Sequence, residues 1–181
     1  DIYDPDNPKL DNYDIFKTVV AKMDFEYALE KLYSYFGKFI IFSFTKNEVK
    51  VMSDVTNMLS IFYHSNKLIL SSYPRVISDV LGNKYSLEKV TNVLKREFIK
   101  KHYQKTQWWC GNATAFENIN ALLPNQYLQI KSKEITIFRK FITKTICDTN
   151  KTEYCYERSI ALLEGFLKSV NERGQFGLTV T

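Results

Sequence analysis

Histidine and cysteine are scarce in this sequence, which argues against most of the sites that depend on them. The 181 residues include two histidines and three cysteines. His64 and His102 are far apart and have no acidic neighbour at ligand spacing, although distant residues can still meet in space. Cys110, Cys147 and Cys155 form no C-x-x-C pattern, and their odd number argues against a disulfide framework. We therefore predict no metal site in this chain.

Long hydrophobic runs and glycine motifs are also missing. No stretch approaches the ~18 consecutive apolar residues that a membrane-spanning helix needs. The acidic, proline-containing start, Asp1–Pro8, excludes a signal peptide. We therefore expect a cytoplasmic protein with no membrane partner. The six glycines form neither G-x-G-x-x-G nor a phosphate-binding loop, so no nucleotide site is expected to be complete within this chain.

The chain does have enough apolar material for a folded core, because 45% of its residues are hydrophobic and 15% are aromatic. Its net charge is +5. The densest basic stretch contains Lys95, Arg96, Lys100, Lys101 and Lys105. Such a stretch can bind phosphate or nucleic acid, but no RNA-binding or helix-turn-helix signature accompanies it. We interpret it as the solvated face of a helix and expect no nucleic-acid partner.

Apolar spacing predicts helices in several parts of the chain. Residues 1–13 are predicted to be an irregular lead-in, followed by one or two helices over residues 14–36 that end at Gly37. Pro74 is expected to begin a helix that stops at Gly82. Ser86 is a predicted N-cap for the next helix, and residues 152–174 form the last. The apolar stripes of these last two helices are Leu87, Val90, Leu94 and Phe98, and then Tyr156, Ile160, Leu163, Leu167 and Val170.

Strands are predicted between these helices. Residues 39–44 and 49–51 form one hairpin across a polar turn, and residues 60–64 and 67–71 form a second across the two-residue turn Ser65-Asn66. These make four sequential antiparallel strands. Residues 104–125 are predicted to be rich in loops, residues 127–138 to form another hairpin, and residues 176–180 a buried strand.

Two local features have both a chemical and a structural interpretation. Cys110-Gly111 resembles the start of an N-terminal-nucleophile amidohydrolase, but that chemistry needs a terminal cysteine. We therefore favour a structural thiol. Trp108 and Trp109 can stack on a base or a sugar, although large aromatic residues more often fill a core or an interface.

Three segments resemble the asparagine-synthase family. The first contains Phe36-Gly37-Lys38-Phe39-Ile40-Ile41-Phe42, Val51-Met52-Ser53-Asp54, Ile61-Phe62-Tyr63 and Leu68-Ile69-Leu70-Ser71-Ser72-Tyr73-Pro74-Arg75-Val76-Ile77. The second is Thr114–Leu128, which resembles the family's Thr-x-Phe-x-x-Ile and Leu-x-Pro-Gly stretch with Asn125 in place of the glycine. The third is Gly177-Leu178-Thr179-Val180-Thr181, which resembles the first strand of the family's ATP-pyrophosphatase domain.

This resemblance implies an α+β fold with antiparallel sheets layered with helices. Residues 1–145 would be a partial glutaminase domain of the N-terminal-nucleophile (Ntn) hydrolase type, and residues 146–181 a linker helix and the first strand of a synthetase domain. Leu178 and Thr181 would lie at the pyrophosphate-binding loop Ser-Gly-Gly-x-Asp-Ser, with Thr181 at its first position. The whole protein would use ATP and Mg²⁺, whereas this chain holds no cofactor of its own.

The departures from the family decide what we expect of this chain. Residue 1 is Asp, not the nucleophilic cysteine, and the early substrate-binding segments have no counterpart. We assign it no catalytic residue and expect a non-catalytic, scaffolding part of an ATP-dependent amide-forming protein. Its expected partner is the remainder of its own polypeptide or a synthetase domain. A second copy of the chain, in a homodimer, is a further possible partner. The alternative is a module without enzymatic activity that binds a protein or an anionic ligand.

Overall fold

A computed structural model describes residues 1–21, 25–32, 34–82, 84–95, 111–124, 126–139 and 152–174. The chain divides into two compact units. Unit 1 takes its described residues from Asp1–Ile40, Asp54–Met58 and Lys140–Thr181, and unit 2 from Ile41–Ser53 and Leu59–Arg139.

In chain order the elements are β1 (Ile2–Tyr3), α1 (Asn12–Val20), α2 (Phe25–Leu32), β2 (Phe36–Gly37), β3 (Ile40–Phe44), β4 (Glu48–Ser53), β5 (Phe62–His64), β6 (Leu70–Ser71), α3 (Pro74–Leu81), α4 (Leu87–Lys95), β7 (Ile119–Ala121), β8 (Gln126–Lys131), β9 (Glu134–Arg139) and α5 (Thr152–Glu172). The predicted α+β class with antiparallel sheets is confirmed.

Unit 1 contains helices and one short strand pair. Helix α1 begins where the Asp11 carboxylate accepts a hydrogen bond from the Asp14 backbone N–H at 2.8 Å. Its buried side chains, Ile15 and Val19, are four residues apart and therefore share one face. The prediction of an irregular lead-in over residues 1–13 is corrected at both of its ends, because β1 pairs with β2 and α1 begins at Asn12.

Gly37 has a different role from the predicted one. We expected it to end a helix, but α2 already ends at Leu32 and Gly37 is a strand residue paired with Ile2. Its φ of +127° is one that favours glycine, and a Cβ there would lie 3.0 Å from the Ile2 Cα. Glycine is needed at this position because β1 approaches the backbone closely.

Unit 2 contains two antiparallel sheets. The four-stranded sheet has the order β3-β4-β8-β9 and the three-stranded sheet the order β6-β5-β7. In the larger sheet, Val51 pairs with Leu128, which pairs with Ile137, so these apolar residues share one face. The predicted hairpin over residues 127–138 is confirmed as β8 and β9.

The four early strands have the predicted antiparallel hairpins, but each hairpin belongs to a different sheet. The Thr45 backbone N–H donates to the Glu48 carbonyl at 2.9 Å and closes the first hairpin at its polar turn. The predicted two-residue turn at Ser65-Asn66 is wrong. The His64 N–H donates to the Ile69 carbonyl at 3.3 Å, so residues 65–68 make a longer connection.

Helix α3 follows its predicted boundaries. Pro74 lies in its first turn, and Gly82 ends it in the left-handed conformation with φ of 66°. The buried Ile77 packs with Phe116 and Ile119 and forms a hydrophobic cluster of unit 2 against the three-stranded sheet.

Helix α4 begins as predicted, because the Ser86 hydroxyl accepts a hydrogen bond from the Lys89 N–H at 3.3 Å. However, Leu87 is 79% exposed, which contradicts its place on a buried stripe. The helix instead turns Lys89 inward, and its Nζ donates to the Phe116 carbonyl at 3.3 Å. Phe98 lies outside the described residues.

Candidate functional site

The N-terminal segment, defined as residues 1–10, packs along α5 within unit 1. The Asp6 carboxylate accepts two hydrogen bonds from the Arg158 guanidinium, each 2.8 Å long. This hydrogen bonding lowers the pKa of Asp6 and raises the pKa of Arg158. Asp4 shapes the segment from within, because its buried carboxylate accepts hydrogen bonds from the backbone N–H groups of Asp6 and Asn7 at 2.9 and 3.3 Å. The segment is therefore held as an ordered turn.

Small residues on α5 allow the segment to approach closely. Gly165 and Ser169 are buried and four residues apart. A Cβ on Gly165 would lie 2.7 Å from the Pro5 carbonyl carbon, a distance that side-chain carbons do not reach. The Ser169 hydroxyl lies 3.1 Å from the Asp4 carbonyl oxygen and 2.9 Å from that of Gly165. This close contact is possible because Gly165 has no side chain and that of Ser169 is small.

Arg173, just beyond the end of α5, holds the far end of the segment. Its guanidinium donates to the Leu10 carbonyl at 2.6 Å and to the Asn12 side-chain oxygen at 2.7 Å. The guanidinium carbon also lies 4.5 Å from the centre of the Tyr3 ring, which is a cation–π geometry. Arg158 on α5 and Arg173 just beyond it thus hold the segment at two separate points.

A cavity of about 540 Å³ lies within unit 1 beside this contact. Its lining comes from the N-terminal segment, β2 and its neighbours, the turn 55–58 and α5. The lining residues are Asp1, Tyr3, Tyr35, Phe36, Gly37, Lys38, Val55, Thr56, Met58, Leu162 and Phe166. Its size falls within the range of ordinary small-molecule sites, so this cavity is the candidate functional site of the chain.

The aromatic rings of the cavity are packed in a defined way. The Phe166 ring stacks on Phe36 with centroids 5.0 Å apart and meets Tyr3 edge-on at 5.4 Å. Both arrangements are favourable for aromatic pairs. Tyr35 is buried, and burial, with the nearby Asp4 carboxylate, raises its pKa to about 12. Its hydroxyl therefore stays protonated at any physiological pH.

One wall of the cavity is a turn organised by Asp54. This buried carboxylate accepts hydrogen bonds from the Thr56 N–H at 3.0 Å, the Thr56 hydroxyl at 2.5 Å and the Met58 N–H at 3.2 Å. The Asp54 N–H itself donates to the Phe39 carbonyl at 3.0 Å. The charged residue that ends the motif Val51-Met52-Ser53-Asp54 thus supports the backbone.

Most of the residues singled out from the sequence lie outside the described residues. These are Leu178, Thr181, His102, Cys110, Cys147, Trp108, Trp109, Asn125, the predicted strand 176–180 and the basic stretch beyond Lys95. Cys155, on α5, is described and is a partly exposed free thiol.

His64 is described, and it is a structural residue in unit 2. It is buried, and its Nδ1 accepts a hydrogen bond from the Asn66 backbone N–H at 3.0 Å. Burial, with a smaller effect from Lys67, lowers the pKa of His64. A neutral ring with Nδ1 as acceptor stabilises the connection after β5.

Metal-ligand clusters and membrane-spanning helices are both absent from the described residues. Within them, no three or more His, Cys, Asp or Glu side chains converge as metal ligands would. In the same part of the chain, every helix is too short or too polar to span a bilayer.

Sequence reasoning missed the contact between the N-terminal segment and α5, and with it the cavity. The signals present were the turn-forming Asp4-Pro5-Asp6-Asn7 and the small residues Gly165 and Ser169 at helical spacing. The predicted stripe on α5 lies on a different face: its members Tyr156, Ile160 and Leu163 are 68%, 41% and 52% exposed, and Leu167 and Val170 are half-buried. The helix packs through small residues because they let two backbones approach.

Comparison with known proteins adds no relative, because no protein family, curated protein or solved structure matches the chain. The resemblance to the asparagine-synthase family therefore depends on the quoted sequence segments alone.

Proposed function

We propose that this chain is a non-catalytic, scaffolding part of an asparagine-synthase-like protein that forms amides with ATP. The observation that supports this role most directly is the pair of faces on α5. One face is fixed to the N-terminal segment, and a second, apolar face is exposed. A helix of this kind suits a linker that carries the next part of a polypeptide on its free face.

The two faces are distinct on the helix. Leu162, Gly165, Phe166 and Ser169 belong to the packed face, and the exposed face contains Tyr156, Ile160 and Leu163. The latter three recur at intervals of four and three residues, so they form one continuous stripe. Exposed apolar stripes commonly mark a contact surface. We assign this stripe to the remainder of the chain's own polypeptide.

The described residues of the resembling segments support a scaffolding role, because they make structural hydrogen bonds. Asp54 organises the turn 54–58 as described above. The buried Thr114 hydroxyl lies 2.6 Å from the Ile119 carbonyl and accepts from the Phe116 N–H at 3.2 Å. These residues therefore stabilise the elements that the resemblance places in order along the chain.

For the whole protein, the resemblance implies adenylation of a carboxylate, departure of pyrophosphate and attack by ammonia or an amine. Leu178 and Thr181 would then border the loop that binds pyrophosphate, with Mg²⁺ bound beside ATP. The contribution of the described residues would be to position the helix that leads towards this site.

Photocrosslinking in the natural polypeptide, changed only at the position of the probe, tests the proposal. The photoreactive residue p-benzoylphenylalanine would replace Leu163 on the exposed stripe or, as the matched control, Glu157, which is exposed on α5 outside the stripe. We expect the probe at 163, but not at 157, to crosslink within the same polypeptide to residues that follow Thr181. Crosslinks from 163 only to other molecules would overturn the proposal and favour an interaction module instead. Equal, weak crosslinking from both positions would also overturn it, since the stripe would then face solvent.

A further inference from the structure

The cavity in unit 1 has walls from four separate parts of the chain. Tyr3 comes from β1, Phe36 from β2, Val55 from the turn after β4, and Leu162 and Phe166 from α5. A molecule in the cavity would contact all four parts at once. Its binding would therefore stabilise the packing of the N-terminal segment on α5.

The chemistry of the walls selects an apolar, flat occupant. The Phe36, Phe166 and Tyr3 rings already form stacked and edge-on pairs at 5.0 and 5.4 Å. A further aromatic ring can extend such a cluster with the same favourable geometry. The aliphatic side chains of Val55 and Leu162 complete the apolar lining.

The charges around the cavity favour an uncharged ligand. Among the lining residues, the charged side chains are Lys38 and Asp1, which are opposite in sign and both exposed. The Asp1 carboxylate already accepts a hydrogen bond from the Asn12 side chain at 2.9 Å. A charged ligand would lose hydration without gaining a buried partner of opposite charge, which is unfavourable.

We propose that this cavity is a binding site for a small, uncharged aromatic molecule. The residues that line the site do not include those of the exposed stripe of α5. A failure to bind such a molecule would therefore not argue against the proposed scaffolding role, and a failure of that role would not argue against this site.

Titration of the purified chain with indole, followed by NMR of its aromatic ¹³C–¹H groups, tests this site. We expect saturable shifts at the Tyr3, Phe36 and Phe166 rings, with a dissociation constant on the order of 0.1–1 mM, as suits a ligand of this size. Tryptamine and indole-3-acetate carry the same ring with a positive or a negative charge. Each should bind at least about fivefold more weakly than indole, because neither charge finds a buried partner.

Three variants locate the site. Val55→Phe places a ring inside the cavity and should weaken indole binding by about tenfold or more, while Phe166→Leu keeps the apolar volume but removes a ring and should weaken it by roughly fivefold. Glu157→Gln, at an exposed position of α5 outside both the cavity and the stripe, is the control and should bind as the wild type does.

Several results would overturn the proposal. They are the absence of saturable shifts up to about 5 mM indole, shifts centred away from the cavity rings, wild-type affinity in Val55→Phe, or tighter binding of either charged analogue. If a substitution prevents folding, the position of the wild-type shifts still decides between a site at these rings and no site there.

Discussion

Gly165 lies so close to the backbone of Pro5 that a Cβ at Gly165 would stand 2.7 Å from the Pro5 carbonyl carbon and 2.9 Å from its Cα. This contact joins residues that are far apart in the sequence. It explains why α5 has a glycine in its interior, where glycine ordinarily weakens a helix. The packing of the N-terminal segment, and one wall of the cavity, depend on it.

The first prediction concerns this glycine. In most helix interiors Gly→Ala stabilises a protein by about 1 kcal/mol, but Gly165→Ala should destabilise this one by about 1–3 kcal/mol because the methyl group overlaps the Pro5 backbone. Urea unfolding measures the change. Ser159→Ala, at an exposed position of the same helix, is the control and should be neutral or slightly stabilising. An increase in stability for Gly165→Ala would show that the contact is absent.

The second prediction concerns the ion pair between Asp6 and Arg158. A double-mutant cycle with Asp6→Asn and Arg158→Gln should give a coupling of up to about 1 kcal/mol, since both side chains are partly exposed. The coupling should shrink in high salt. Because Arg158 lowers the pKa of Asp6 below 3.8, the coupling should be complete above that pH and be lost as the pH falls through the lower, folded-state value. A coupling that persists when Asp6 is protonated would contradict the assignment.

The third prediction concerns His64. Its pKa is lowered from 6.5 in the folded protein, so the unfolded chain binds more protons in this range. The free energy of unfolding should therefore be highest above pH 6.5 and decrease as the pH falls below it. His64→Asn offers an oxygen to the Asn66 N–H and should remove most of this pH dependence. A wild-type stability that rises on acidification from pH 7 to pH 5 would have the wrong sign for a buried neutral histidine.

The fourth prediction separates the structural role of Asp54 from its charge. Asp54→Ala removes an acceptor used by Thr56 and Met58 and should cost about 2–4 kcal/mol. Asp54→Asn keeps an oxygen at the same position and should cost roughly half as much. Thermal unfolding measures both variants. If both changes cost less than about 0.5 kcal/mol, as ordinary surface substitutions do, the carboxylate does not organise the turn.

Sequence patterns identified the local elements of this fold well. Pro74 and Gly82 bound α3 as predicted, because proline fits a first helical turn and glycine a left-handed cap. The hairpin over residues 127–138 has alternating apolar residues and was predicted for that reason. The Ser86 cap could be predicted from one side chain, because the hydrogen bond that it accepts comes from Lys89, only three residues further along the chain.

Contacts between distant parts of the chain were not predictable in the same way. The two early hairpins belong to separate sheets, which depends on their pairing with β7 and β8 much later in the chain. On α5, hydrophobic periodicity points to the large apolar residues. The N-terminal segment instead packs against Gly165 and Ser169, because these residues are small. The cavity combines residues from four parts of the chain and leaves no local pattern.

The central claim is that this chain is a scaffolding part of a larger ATP-using polypeptide. Measuring the intact mass of the protein from its natural source, and sequencing both of its ends, tests that claim most directly. We predict a mass well above 21.3 kDa, with Thr181 followed by a Gly-Gly-x-Asp-Ser loop. A mass of 21.3 kDa, with Thr181 as the last residue, would contradict it and leave a module whose function is binding alone.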